Sequence, residues 1–97
     1  MFEELINKNE LIIQLGNDFR KYRKALRLSQ KEIQQKTGLS QFTISEFETG
    51  KNSGISLLNF CRLLEAVGCL DNLSHIIPEV PEIDLEKEWK KQKHYKQ

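Results

Sequence analysis

The sequence predicts an all-α domain of five short helices followed by a charged C-terminal tail. Three observations predict it. Apolar residues recur at three- and four-residue steps and nowhere alternate as in a strand. Ser, Asp and Gly fall where helices need to start and stop. Pro78 and Pro81 then close the pattern, and with 97 residues the chain holds one domain, 9–77, between an N-terminal extension, 1–8, and a tail, 78–97.

The first helix is expected from Asn9 to Leu26, where Leu11, Leu15, Phe19, Tyr22 and Leu26 form one apolar stripe. Ser29 and Glu32 are spaced as a capping box, in which hydroxyl and carboxylate each satisfy the other residue's free amide. They open a second helix, Gln30 to Lys36, that ends at Gly38, a residue able to take the left-handed conformation of a sharp turn. Ser40 caps a third helix, Gln41 to Glu48, closed by Gly50. Ser56 caps a fourth that reaches Val67, with Leu57, Phe60, Leu63, Leu64 and Val67 facing inward. Asp71 is placed to cap a short fifth helix carrying Leu73, Ile76 and Ile77. In the tail, Leu85 and Trp89 share a helical face over 84–95, a segment that fits either an amphipathic helix or one ordered only by a partner.

Composition narrows the function classes. No apolar run approaches the roughly 18 residues of a membrane span, and no signal-peptide pattern opens the chain, so a cytoplasmic location is expected. Cys61 and Cys69 sit in or beside an apolar helical pattern and read as buried reduced thiols. His75 and His94 lack the clustered partners of a zinc site, and no cofactor is expected. No nucleophile–base pair or phosphate loop is present, so an enzyme is not expected. The net charge of +1 conceals a stretch from Gly16 to Glu65 in which bases outnumber acids, an acidic one from Asp71 to Glu88, and a basic end from Lys90. That segregation suits a polyanionic partner.

The segment from Leu28 to Lys51 is the most specific. It contains Ser29-Gln30 at a helix start, Gly38 at the turn, the pair Ile44-Ser45, and the closing Glu48-Thr49-Gly50-Lys51. With a helix on either side, it resembles the XRE helix-turn-helix family of lambdoid repressors, Cro proteins, restriction controllers and many antitoxins, over roughly Leu15 to Ile77. HipB-type antitoxins look most similar. The resemblance implies a compact five-helix, lambda-repressor-like DNA-binding fold, with the helix-turn-helix at 30–48 packed through Ile33, Thr37, Leu39, Ile44 and Phe47. Gln34 departs from the family, which usually has a small residue there, and its side chain must turn outward or bond locally.

The resemblance assigns base reading to Gln41, Phe42 and Glu46. Gln41 can pair bidentately with adenine, worth about 1–3 kcal/mol of discrimination. Phe42 fits either thymine methyls or the core, and Glu46 either cytosine N4 or solvent. Phosphate contacts fall to Gln30, its amide directed outward, and to Ser40, Thr43, Ser45, Thr49, Lys51, Asn52 and Ser53. Arg23 and Glu48 match an arginine–glutamate pair that clamps the family's fold.

Such a domain implies a transcriptional repressor that reads an inverted repeat in double-stranded DNA as a homodimer. Leu70, Leu73, Ile76 and Ile77 would form the dimer interface, or else cap the monomer core, and Phe2, Leu5 and Ile6 could join them. An autoregulating antitoxin paired with a HipA-type kinase toxin is the finer expectation. A module that neutralises a toxin or other partner, with DNA binding secondary, is the alternative.

Overall fold

The computed structural model describes residues 6–52 and 54–80. Four α-helices follow one another, α1 (Lys8–Ala25), α2 (Gln30–Thr37), α3 (Gln41–Glu48) and α4 (Leu57–Ala66), and a 3₁₀ helix, Leu70–His75, completes the set. The expected all-α class is what the described residues form. Four N-caps start the α-helices: Asn7, whose side chain accepts from the Asn9 and Glu10 amides, then Ser29, Ser40 and Ser56. The capping box is complete, with Glu32 N–H to Ser29 Oγ at 3.0 Å and Ser29 N–H to Glu32 Oε1 at 2.8 Å.

Three helices end in the same motif. In α3 the Lys51 amide donates to Glu46 and the Gly50 amide to Phe47; in α4 Cys69 donates to Leu64 and Gly68 to Glu65. This is the Schellman pattern, with a left-handed glycine just past the cap. In α1, Leu28 donates to Arg23 and Arg27 to Lys24 in the same register, yet the left-handed position is occupied by Arg27, at φ 62°. An arginine there carries the Cβ–carbonyl clash that glycine escapes.

The core is small: Phe19, Ile33, Ile44, Phe47, Leu63 and Val67, flanked by half-buried Leu28, Leu39, Ile55, Phe60 and Leu64. Phe47 holds its centre, edge-on to both Phe19 and Phe60 with ring centroids 5.7 Å away in each case. Helix α1 lies across α3, and α2 packs on both α3 and α4.

The buried face of α1 differs from the expected stripe. Leu11, Leu15, Tyr22 and Leu26 are 37–47% exposed, and only Phe19 of that stripe enters the core. The buried residues are Gly16, Phe19 and Arg23. Gly16 is the crossing point: a Cβ on it would stand 2.0 Å from the Phe47 carbonyl oxygen. The helices approach there as closely as backbone permits, so α1 turns its smallest residue, not its leucines, toward α3.

Three further expectations are corrected. Leu57, in the first turn of α4, is exposed rather than inward-facing. Asp71 does not cap the fifth element, which is a 3₁₀ helix preceded by Cys69 and without a side-chain cap. Cys61 and Cys69 are free thiols, but half-buried rather than buried. Phe2, Leu5, Ser53 and the tail helix at 84–95 lie outside the described residues.

Candidate nucleic-acid interface

The turn between α2 and α3 is built by local hydrogen bonds. Gly38 takes φ 79°, its amide donating to Gln34. Thr37 Oγ1 donates to the Ile33 carbonyl at 2.8 Å and accepts from the Leu39 amide at 3.1 Å, which leaves neither group of the turn bare. Ser40 Oγ accepts from the Thr43 amide at 3.0 Å and donates to Thr43 Oγ1 at 2.9 Å. Ile33, Ile44 and Phe47 bury the facing sides of both helices, with Thr37 and Leu39 half-buried beside them, and Gln34 is exposed.

This packing leaves the start of α3 in solvent. Gln41 is exposed, and Phe42 is 72% exposed, so of its two readings the core is excluded. Glu46 is half-buried, its carbonyl accepting from Lys51 and Asn52. Thr49 Oγ1 is turned back on the Ser45 carbonyl at 2.9 Å, and Asn52 Oδ1 accepts from the Gly54 amide at 2.8 Å. Ser45 is half-buried and Lys51 exposed.

Behind the α3 start runs a continuous polar chain. Arg23 grips Glu48 with two hydrogen bonds, Nε to Oε2 at 2.6 Å and Nη2 to Oε1 at 2.8 Å. Its third nitrogen group, Nη1, donates to the Leu28 carbonyl at 2.7 Å. Both residues are buried, 5% and 1% exposed. The Arg23 guanidinium is held above its ordinary pKa, because the hydrogen bond to Glu48 outweighs the opposing effect of burial. Gln30 then donates from Nε2 to Glu48 Oε1 at 3.0 Å and accepts at Oε1 from Gln41 Nε2 at 3.3 Å. The amide of Gln30 therefore points inward at a buried carboxylate, not outward as expected. Its carbonyl faces the start of α3, where it accepts from Gln41.

A helix-turn-helix model matches residues 19–70, more than half of the chain. The chain belongs to this family, in its XRE form. As such it is a DNA-binding regulator, and the family is one of regulatory domains rather than of enzymes. No curated protein and no solved structure matches the chain. Among the described residues no helix is long and apolar enough to cross a membrane, and no three His, Cys, Asp or Glu side chains are grouped to hold a metal.

The four residues expected at a dimer interface stand apart from the polar chain. Leu73 is half-buried; Leu70, Ile76 and Ile77 are exposed, the last by 83%. None belongs to the buried core, although Leu73 and Ile76 share a groove with its Phe19 and Val67. Leu73 and Ile76 line a groove of about 280 Å³, together with Leu15, Tyr22, Phe60 and Leu64. Of the exposed residues of the α1 stripe, Leu15 and Tyr22 line that groove. Two residues that matter here were not assigned to the site by the sequence reading. Gly16 had only its place inside a helical pattern as a signal. Arg20, 3.9 Å from Glu48 Oε1, had its spacing of three from Arg23.

Proposed function

We propose that the protein is a sequence-specific transcriptional repressor that binds an inverted repeat as a homodimer, with α3 in the major groove. The observation that carries this reading is the placement of Gln41. It is exposed on the first turn of α3 and tied through Gln30 to the buried Arg23–Glu48 pair. A base-reading side chain discriminates only if its amide is held in place, and a polar chain anchored in the core holds it. Phe42 beside it offers an apolar surface suited to thymine methyls, and Glu46 an acceptor suited to cytosine N4. Ser40, Thr43, Ser45, Thr49, Lys51 and Asn52, on or next to α3, serve the DNA backbone, Ser53 is assigned the same role from the sequence, and Gln30 is the brace of Gln41. Arg23 and Glu48 act as the structural clamp beneath them.

The homodimer reading draws on the groove between α1 and the 3₁₀ helix. A second copy would cover Leu70, Leu73, Ile76 and Ile77 and set two recognition helices about 34–36 Å apart, one turn of DNA. The same uncovered apolar face supports a second reading, in which a HipA-type kinase toxin or another protein partner occupies it and the chain is an autoregulating antitoxin.

The deciding experiment is titration of the protein with the DNA upstream of its own gene at two salt concentrations, with Gln41→Ala alongside. Salt-steep binding to an inverted repeat, lost in the variant, is expected. Binding indifferent to sequence and to the substitution would refute sequence-specific repression. Light scattering of the free protein, and of the protein co-expressed with the product of the adjacent gene, separates the dimer from the toxin complex.

A further inference from the structure

We propose that Arg20, on α1 and outside the helix-turn-helix unit, is a further contact to the DNA backbone, taking a phosphate beside the start of α2. The assignment rests on the docking of α3 in the major groove. Its basis is an excess of positive charge around Glu48. Arg23 meets both oxygens of that carboxylate, at 2.6 and 2.8 Å, and so matches its single charge. Gln30 takes a further bond to Oε1 at 3.0 Å. Arg20 Nε is 3.9 Å from the same oxygen, beyond hydrogen-bonding range, and among the described residues its guanidinium has no hydrogen-bond partner. Two guanidiniums thus face one carboxylate, and Arg20 is the surplus cation. Its side chain is 51% exposed while Glu48 is buried.

The location of that cation gives it a use. Arg20, Glu48, Gln30 and Gln41 are linked in series by contacts of 3.9, 3.0 and 3.3 Å. Arg20 therefore lies on the side of the domain where α2 begins and where Gln41 emerges. When a recognition helix enters the groove, the helix before it crosses the sugar–phosphate backbone. A planar guanidinium with free N–H groups at that crossing is suited to a bidentate phosphate contact. The weak pull of Glu48 keeps it near the surface without consuming its donors. Such a contact adds affinity and register but reads no sequence.

The test compares wild type, Arg20→Gln and Arg20→Lys by fluorescence anisotropy between 50 and 200 mM salt. Two 30-bp duplexes are used, one from upstream of the protein's own gene and one of random sequence. The expected result for Arg20→Gln is a plot of log K against log salt flattened by about 0.9 per bound protomer. Affinity for both duplexes should fall by a similar factor, so that their ratio is kept. Arg20→Lys should retain the slope, and both variants should melt at the wild-type temperature. An unchanged slope in Arg20→Gln would overturn the assignment. So would a collapse of the ratio at unchanged slope, which would make Arg20 a positioning residue acting through Glu48. If the wild type shows no salt-steep binding to either duplex, the docking of α3 fails, and this contact with it.

Discussion

Replacing Gly16 by alanine adds one methyl group at the tightest contact in the domain. The new Cβ would lie 2.0 Å from the Phe47 carbonyl oxygen and 3.0 Å from its carbon, with the Glu48 carbonyl carbon at 3.4 Å. Ordinary C···O contacts start at about 3.3 Å, so α1 must retreat from α3 by about 1.3 Å. No side chain can yield in its place, because every neighbour is backbone. The retreat would pull on the Phe19–Phe47 edge contact and on the two Arg23–Glu48 hydrogen bonds, which lie three and seven residues along α1. Overpacking of this kind costs about 1–3 kcal/mol, and the absence of a yielding partner places it at the upper end. Alanine returns about 1 kcal/mol through its higher helix propensity. The net loss is about 2 kcal/mol, which in a domain of this size lowers the melting temperature by about 8–16 °C. Thermal unfolding followed by circular dichroism at 222 nm reads it directly. Helix propensity alone predicts the opposite sign, a rise of about 4–8 °C. A midpoint at or above wild type would therefore refute the crossing-point argument.

Two other substitutions probe separate links. Arg27→Gly relieves a left-handed non-glycine residue while keeping both Schellman hydrogen bonds, and should stabilise the domain by about 0.5–1 kcal/mol, seen as a higher urea midpoint at unchanged m-value; a lower midpoint would show that the Arg27 side chain contributes more than its backbone costs. Phe42→Ala, at a residue 72% exposed, should leave stability within about 0.5 kcal/mol of wild type while weakening operator binding. A large drop in melting temperature would instead mean that Phe42 packs against the domain.

The parts of the fold that were legible in the sequence are those decided within a few residues. Ser29 with Glu32, Ser40 and Ser56 each satisfy amides of their own first turn, so their spacing alone locates three helix starts. Gly38 is equally local. The orientation of α1 was not legible, because four of the five residues of its apolar stripe stay outside the core. A stripe through Leu11, Leu15 and Tyr22 has the right period, but the face that docks is chosen by the partner helix, which accepts Gly16 and a paired Arg23. The same holds for Leu57, whose period is correct and whose position in the first turn of α4 leaves it in solvent. At the site, the Arg23–Glu48 pair was readable through its resemblance to a family pattern. The inward turn of Gln30 was not, since nothing in a sequence says which of two donors a buried carboxylate will recruit as its third bond.

Glu48 also imposes a direction. An ionised carboxylate can only accept, so Gln30 has to offer it the NH₂ end and keep its carbonyl for Gln41. Gln41 in turn has to answer with its own NH₂ end, which leaves one N–H and its carbonyl oxygen for whatever approaches α3. One donor beside one acceptor is the complement of the N7 and N6 edge of adenine, whereas guanine presents two acceptors in the major groove. A glutamine at position 48 could donate as well as accept. Both amides could then reverse together, at the cost of the Arg23 Nη2 bond to that end of residue 48, and the domain would present two hydrogen-bond polarities where Glu48 permits one.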